Sequence, residues 1–229
     1  MKKALFYILL IVTLSACEKS VVDKTVFQGI GTIERTDTLF AIHYYDHTFI
    51  IPDMEGSALE DSDRVEFNLH TLKPVSDTLL TTFEAELVEI SEDITRPVVY
   101  YSQQSTVDPK EWGTTPFVSV DMHITRDWRR CDFFNFSTMY ATTDNNDDYI
   151  CLTYEKSEQE ADNDSLHVFW LKHYQNQSDS LTALRHDVIS VPLNYLQNDT
   201  AQRVYLRIKY FDAYGDTMVT NWTYSFRNM

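Results

Sequence analysis

Apolar and polar residues alternate along almost every patterned segment of this chain, and this period fixes the secondary structure it can form. Val65, Phe67 and Leu69 alternate with Glu66 and Asn68. The same alternation recurs in segments 83–87, 204–210 and 222–226. A period of two is typical of strands with one buried face. Helical periodicity is missing from segments of comparable length, so the sequence predicts an all-β fold.

The first group of alternating segments spans residues 26–93 and predicts a small barrel. Five short strands fit into this stretch, with a tight hairpin turn at Asp46-His47. Gly29 and Gly31 lie inside the first strand, where glycine permits the sharp coiling that a small closed barrel needs. Five strands in so short a segment favour an OB-like β-barrel domain.

The second group spans residues 117–229 and predicts a separate sandwich. Prolines and a glycine interrupt the pattern in residues 94–116, which indicates a connection with one edge strand near 98–101. About seven strands follow. That number in a segment of this length favours an immunoglobulin-like β-sandwich.

The N-terminus carries the features of an export signal. Two lysines precede an apolar run at residues 4–14, which ends in Leu14-Ser15-Ala16-Cys17. A charged start, a short apolar run and small residues before a cleavage site are typical of a secretory signal peptide. The run is too short for a membrane-spanning helix, which needs about 20 residues.

The segment that ends in Cys17 resembles the lipobox of bacterial lipoproteins. The resemblance implies that residues 1–16 are removed and that the Cys17 thiol carries a diacylglyceryl group, with acyl chains such as palmitate. Each buried CH2 contributes about 0.8 kcal/mol, so several long chains hold a protein on a membrane. An ordinary signal peptide with a chance cysteine is the alternative. Residues 17–25 are then a polar tether.

The residue after the cysteine bears on the location. Glu18 stands where an Asp would imply retention in the inner membrane. We therefore expect an outer-membrane lipoprotein of the bacterial cell envelope, held by its lipid anchor. Which leaflet it occupies stays open.

The charge of the chain excludes one class of partner. The sequence has 19 Lys and Arg against 35 Asp and Glu, a formal net charge of −16. Phosphate backbones repel so acidic a surface, and we expect no binding to nucleic acid.

Two cysteines remain after Cys17, and the sequence leaves their state open. An exported protein can oxidise Cys131 and Cys151. If residues 131–155 form a hairpin that turns near Asn145-Asn146, Cys151 lies opposite residues 138–140 and not Cys131. A disulfide then needs another register, and free buried thiols are the favoured alternative.

The order of these features resembles the NigD-like lipoproteins. The segments that show the resemblance are the lipobox, Arg64-Val65-Glu66-Phe67 at the fourth strand, and segments 83–90, 166–173 and 188–193. The resemblance implies an OB-like N-terminal domain followed by a β-sandwich. The family name comes from a link with bacteriocin immunity loci, and most members have no assigned activity.

Motifs for catalysis or metal binding are weak. His43 and His47 flank a turn rather than sharing a helix face, so a shared metal ion is not expected. Segment 144–148 is rich in oxygen ligands but lacks the Gly and distal Glu of a calcium loop, which favours a hairpin turn. His123 with Asp121 or Asp127 is an alternative acid–base set. We expect no cofactor, no metal ion and no enzymatic activity.

A three-residue pattern of Asp, then Ser or Thr, then a small or apolar residue recurs more often than composition predicts. It resembles the periplasmic O-glycosylation site of some gut bacteria. The candidate positions are Thr38, Thr78, Ser165, Ser180, Thr200 and Thr217. Turn capping before a strand is the alternative explanation.

Three functions follow, in order of preference. The first is a non-enzymatic envelope lipoprotein that binds a protein or glycan partner, with protection against a toxin as its most specific form. The second is a carbohydrate-binding accessory lipoprotein of a nutrient-uptake system, which needs exposed aromatic residues in a row or cleft. The third is a hydrolase with an unrecognised site.

Overall fold

The computed structural model describes nine main stretches of the chain and one single residue. They are residues 25–52, 54, 57–76, 79–101, 115–126, 132–142, 148–155, 166–175, 183–196 and 203–226. Their secondary structure is almost entirely β, with a single 3-10 turn at Asn194–Leu196. The fold is therefore all-β, as the alternation predicts.

The first five strands close into a barrel. They are β1 (Val26–Arg35), β2 (Phe40–Tyr44), β3 (His47–Ile50), β4 (Arg64–Ser76) and β5 (Leu79–Ile90). The order around the barrel is β1-β2-β3-β5-β4, with β3 parallel to β5 and β4 paired back onto β1. The expected OB-like barrel is confirmed, and its core holds Ile33, Ile42, Phe49, Val65 and Leu69.

The two glycines of β1 lie on the inner face of the barrel, where they make room for β2. A Cβ on Gly31 would lie 2.4 Å from Cγ2 of Ile42, and a Cβ on Gly29 would lie 2.6 Å from Cε2 of Tyr44. Because real Cβ atoms do not approach so closely, neither position accepts a larger residue without movement.

The remaining strands form a sandwich of two sheets. They are β6 (Val99–Tyr101), β7 (Phe117–Arg126), β8 (Asp132–Thr142), β9 (Tyr149–Glu155), β10 (Leu166–Tyr174), β11 (Ala183–Pro192), β12 (Arg203–Phe211) and β13 (Thr217–Ser225). One sheet has the order β13-β12-β10-β9-β6 and the other β11-β8-β7. The expected β-sandwich is confirmed, with Phe117, Phe136, Tyr140, Phe169 and Leu171 in its core.

The hairpin considered for residues 131–155 does not form. Strand β8 pairs with β7 and β11, whereas β9 pairs with β10 and β6. The chain therefore crosses from one sheet to the other between β8 and β9. The two strands then contribute buried side chains to the same core from opposite sides. The interpretation of segment 144–148 as a hairpin turn is therefore wrong.

Several expectations fall on residues outside the described stretches. They include the signal peptide, Cys17, Cys131 and most of the connection after β6. In the described stretches, no helix has the length and apolarity that are needed to span a membrane.

Candidate functional site: a cleft between barrel and sandwich

The outer face of β1 and β4 packs against the outer face of the three-stranded sheet. Ile30 of the barrel and Val188 of the sandwich meet there, together with Ile94, in a small apolar cluster. Ile94 also donates its backbone N–H to the carbonyl of Arg64 and accepts from the N–H of Ser190. The two domains therefore share backbone as well as side-chain contacts.

Arg64 is buried at one end of this interface and bonds to both domains. Its side chain is 2% exposed although it starts β4. It donates to the hydroxyl groups of Thr32 at 2.7 Å, Thr125 at 2.7 Å and Ser190 at 3.3 Å. The guanidinium also lies 4.5 Å from the centre of the Phe133 ring. The cation thus satisfies its donors on both domains, which a buried charge requires.

Asn135 completes this network from the centre of the three-stranded sheet. It donates to Thr125 at 2.9 Å and accepts from Ser190 at 2.7 Å. Arg64 also donates to Asn135 at 3.4 Å. A polar network with its members paired in this way fixes the relative position of the parts it joins.

Beyond Arg64 the interface opens into a cleft of about 370 Å³. We call it the junction cleft. It is lined by Gln28, Gly29, Ile30, Tyr44, Tyr45, Glu66, Phe67, Asn68, Glu89, Ile90, Ser91, His123, Thr125, Ser137 and Val188. This volume lies in the range of small-ligand sites, and such sites concentrate at domain interfaces.

Two tyrosines form the aromatic wall of the junction cleft. The pairing of β1 with β2 begins at Thr32 and His43, so Tyr44 lies beside a part of β1 that is paired with β4 instead. The rings of Tyr44 and Tyr45 meet edge to face with centroids 4.6 Å apart. Tyr45 has a positive φ of 55° and is 58% exposed. The tight turn after β2 thus presents an aromatic ring to solvent at the mouth of the cleft.

A row of polar side chains crosses the outer face of the barrel inside the cleft. Gln28 of β1 pairs with Asn68 of β4, which pairs with Glu89 of β5. Cross-strand partners present their side chains on the same face of a sheet. Oδ1 of Asn68 is buried and has no hydrogen-bond partner among the described residues.

Glu66 lies beside this row and is half-buried. Burial raises the pKa of its carboxyl group above the usual range, and the charges of Asp187 and Glu89 act in the same direction, against His186. Within the described residues its carboxylate forms no ion pair. The cleft therefore contains a carboxylate that has lost part of its hydration and forms no ion pair in the described part of the chain.

The wall from the sandwich contributes His123 and Ser137. Burial lowers the pKa of His123, and the neighbouring charge of Arg64 lowers it further, whereas Asp121 raises it. Ser137 is hydrogen-bonded to Nε2 of His186 at 2.7 Å. The considered set of His123 with Asp121 is thus an electrostatic pairing at the cleft wall, and Asp127 lies outside the described residues.

A second polar cluster lies inside the sandwich core. Nε2 of His173 is 3.5 Å from Oδ1 of Asp148, and their side chains are 0% and 1% exposed. The His173 ring packs on Tyr140 with centroids 3.9 Å apart, and Tyr140 donates to Asp187. Burial lowers the pKa of His173 despite the nearby carboxylates. This pair is closed to solvent in the structure.

The other candidate positions are scattered. His43 and His47 each contact a carboxylate of their own, Glu34 and Asp46 respectively, at 2.7 Å. The described residues contain no group of three His, Cys, Asp or Glu that could hold a metal ion. Cys151 is a buried free thiol, so the disulfide alternative is not realised in this structure.

Two of the six candidate glycosylation positions are described, and both are exposed. Thr38 lies in the loop between β1 and β2, and Thr217 begins β13. The other four, Thr78, Ser165, Ser180 and Thr200, lie outside the described residues, as does the candidate lipid-attachment site Cys17.

Sequence reasoning missed the main features of the cleft. Alternation places Arg64 on the polar face of β4, and nothing local signals that this face is covered by another domain. His173 continues the inward series of Phe169 and Leu171, so its burial was readable from the period of two. Its partner Asp148 lies just before β9, the strand that pairs with β10, and the local pattern carries no signal for that pairing.

Comparison with known proteins gives a consistent result. The sequence profile of the NigD-like C-terminal beta sandwich domain matches residues 105–224. No curated protein matches the chain.

Similar solved structures include three from Bacteroides species. A protein of unknown function from Bacteroides vulgatus matches with a TM-score of 0.65 and 13% identity, over 87% of this chain and 91% of that chain. A NigD-like immunity protein from Bacteroides caccae matches with a TM-score of 0.61 and 16% identity, over 89% and 97%. A Bacteroides fragilis protein described as a lipoprotein matches with a TM-score of 0.62 and 6% identity, over 89% and 99%. At these identities the similarity establishes the shared fold.

Proposed function

The chain belongs to the NigD-like family, and from this premise we propose that it is a non-enzymatic lipoprotein of the bacterial cell envelope that binds a partner in the junction cleft. Protection of the cell against a toxin is the most specific form of this role. The main observation in support of a binding function is the junction cleft. It is open to solvent, and two domains fixed by Arg64 form its walls.

The location rests on the sequence. Leu14-Ser15-Ala16-Cys17 provides the lipid-attachment residue, and Glu18 favours the outer membrane. The Bacteroides fragilis structure with the same fold is described as a lipoprotein, which supports the same interpretation. The tether at residues 17–25 would then hold the barrel close to the membrane surface.

The protective role is supported by the family and by the fixed form of the site. The Bacteroides caccae structure with this fold is described as an immunity protein. An immunity protein works by binding, and the network around Arg64 positions the cleft walls before a ligand arrives. Preorganised walls reduce the entropy that is lost on binding.

The absence of enzymatic activity is proposed from the placement of the titratable groups. The His173–Asp148 pair has the residue types of an acid–base set, but its side chains are 0% and 1% exposed. His123 does face the cleft, where the nearby hydroxyl groups of Thr125 and Ser137 already hold hydrogen bonds to Arg64 and His186. A nucleophile within reach of a free base is the usual requirement for covalent hydrolysis.

The test uses the protein in its own envelope. Replacement of Tyr45 by a photoreactive phenylalanine places a crosslinker at the mouth of the cleft, and mass spectrometry of the irradiated protein identifies the adduct. A protein or glycan adduct that is absent when the same residue is placed at exposed Tyr214 supports the proposal. Turnover of cell-wall or glycan substrates by the purified protein contradicts it.

Lipid attachment is tested separately by intact mass. The protein purified from membranes should carry acyl mass on a chain that begins at residue 17. The Cys17→Ala variant should lose this mass and leave the membrane fraction. A bare polypeptide that keeps residues 1–16 contradicts the proposed location.

A carbohydrate-binding role in nutrient uptake is the second candidate. The observation in its favour is the pair of Tyr44 and Tyr45 at the cleft mouth beside the amides of Gln28 and Asn68. Aromatic faces and amides are common in sugar sites. Depletion of the protein should then slow growth on one glycan only, with normal growth on monosaccharides.

A further inference from the structure

We propose that the junction cleft binds the guanidinium group of an arginine side chain presented by a basic polypeptide partner. This inference rests on the proposed binding function and adds the chemistry of the ligand. It follows from the carboxylates and aromatic rings that line the cleft, and from its size.

The cleft is lined by two carboxylates among neutral polar groups. Glu66 and Glu89 contribute carboxylates, and Oδ1 of Asn68 is buried with no partner among the described residues. Thr125 and Ser137 already have partners in Arg64 and His186. A guanidinium has five N–H donors and no acceptor, which complements such a surface. A neutral sugar hydroxyl would leave the half-buried carboxylate of Glu66 without a counter-charge.

Among the described residues, those that line the cleft include no lysine or arginine. Arg64 lies behind the cleft wall, where its donors are used by both domains. His123 lines the cleft, and burial and the charge of Arg64 lower its pKa, which favours the neutral ring. Glu66 is half-buried without an ion pair in the described part of the chain. A ligand cation would restore the interaction that this carboxylate lost with water.

The aromatic wall suits a planar cation. Tyr44 lies over the backbone of Gly29, and Tyr45 extends from it to the mouth of the cleft. Guanidinium groups stack on aromatic faces, and such contacts strengthen when water is excluded. The carboxylates of Glu66 and Glu89 lie on β4 and β5, in the same cleft. The tyrosine rings and the carboxylates therefore line one cleft.

The size and the charge of the protein indicate a polypeptide as the source of the arginine. A volume of about 370 Å³ accommodates one long side chain with its flanking peptide and not a folded domain. The formal net charge of −16 attracts a basic chain over a distance of about one Debye length, roughly 8 Å at physiological salt.

The test compares two peptides that differ only in charge. Fluorescence anisotropy would follow a labelled pentapeptide Gly-Arg-Gly-Arg-Gly added to the full protein in detergent, beside a peptide with citrulline in place of arginine. Citrulline keeps the shape and loses the charge. The proposal expects at least tenfold weaker binding of the citrulline peptide and progressive loss of arginine binding as salt rises.

Variants locate the binding site. The double variant Glu66→Gln and Glu89→Gln should weaken arginine binding at least tenfold, and Tyr45→Ala about threefold. Glu60→Gln, at an exposed carboxylate outside the cleft, is the matched control and should leave binding unchanged. The substitutions are conservative or exposed, and unchanged thermal unfolding verifies the fold.

Three results would overturn the proposal. They are equal affinity for both peptides, absence of saturable arginine binding, and saturable binding of a neutral oligosaccharide that is lost in Tyr45→Ala while arginine binding is not. Each leaves the binding function standing if the photoreactive residue at position 45 still captures a partner in the envelope.

Discussion

Nε of Arg64 and the hydroxyl of Ser190 lie 3.3 Å apart across the domain interface, although 126 positions separate them in the sequence. The contact joins the first residue of β4 to a residue near the end of β11. It joins the barrel to the sandwich at the end of the interface that lies beside the junction cleft.

Replacement of Arg64 by methionine should reduce the free energy of unfolding by about 3 kcal/mol, because the hydroxyls of Thr32 and Thr125 lose a charged partner inside a buried interface. Denaturant unfolding measures this change. Arg203→Met, at an exposed arginine, is the control and should stay within about 0.5 kcal/mol of the parent protein. An equally small effect of Arg64→Met would show that the network does not hold the domains together.

The buried His173 predicts a pH dependence of stability. Burial lowers its pKa in the folded protein, so the unfolded chain binds the proton more tightly. The free energy of unfolding should be constant with respect to this group above a pH of about 6.5, the ordinary pKa of histidine, and should fall as the pH decreases below it. The slope for one proton reaches at most about 1.4 kcal/mol per pH unit.

A variant separates this group from the other histidines. His173→Phe combined with Asp148→Asn removes the titrating group and its carboxylate partner together. The loss of stability between pH 6.5 and pH 5 should become shallower than in the parent protein. His186→Gln, at an exposed histidine, should keep the parent slope. A parallel curve for the double variant would assign the pH dependence elsewhere.

The alternation of apolar residues was enough to predict the fold, because period two reports which face of each strand is buried. The end of β4 could not be predicted from the sequence. The strand runs to Ser76 and includes Pro74, which normally ends a strand, but irregular pairing with β5 at this point tolerates it. Sheet membership was not readable between β8 and β9, since local pattern does not say which strands pair. The cleft depends on an interface between domains, and a single sequence carries no signal for that.

Substitution of the two glycines of β1 by alanine tests how closely β2 packs against each of them. Gly31→Ala should lower the free energy of unfolding by about 1–3 kcal/mol, because the new Cβ would lie 2.4 Å from Ile42 in the closed core. Gly29→Ala should cost less, since it meets the ring of Tyr44 at the rim, which can move outward. Thermal unfolding of both variants tests this order. The reverse order would mean that the Tyr44 ring is held more firmly than the core.

The exposed Thr38 and Thr217 test the glycosylation prediction. If the Asp-Ser/Thr pattern directs modification, each Thr→Ala variant of the native protein should lose one glycan mass in intact mass spectrometry. Both side chains are accessible in the folded structure. Thr223→Ala is the control, because this exposed threonine follows Trp222 rather than an aspartate. If none of the three variants loses glycan mass relative to the parent protein, turn capping remains as the reason for the pattern.

Cys151 should be chemically inert in the folded protein. It is 1% exposed, and burial raises the pKa of its thiol to about 11. Only the thiolate reacts readily with alkylating reagents, so iodoacetamide at pH 8 should modify a Cys131→Ser variant at Cys151 only after denaturant is added. Mass spectrometry of the alkylated peptide measures the extent. Rapid modification without denaturant would show that β9, which carries this residue, opens in the native protein, and the sandwich core would then be less closed than the structure indicates.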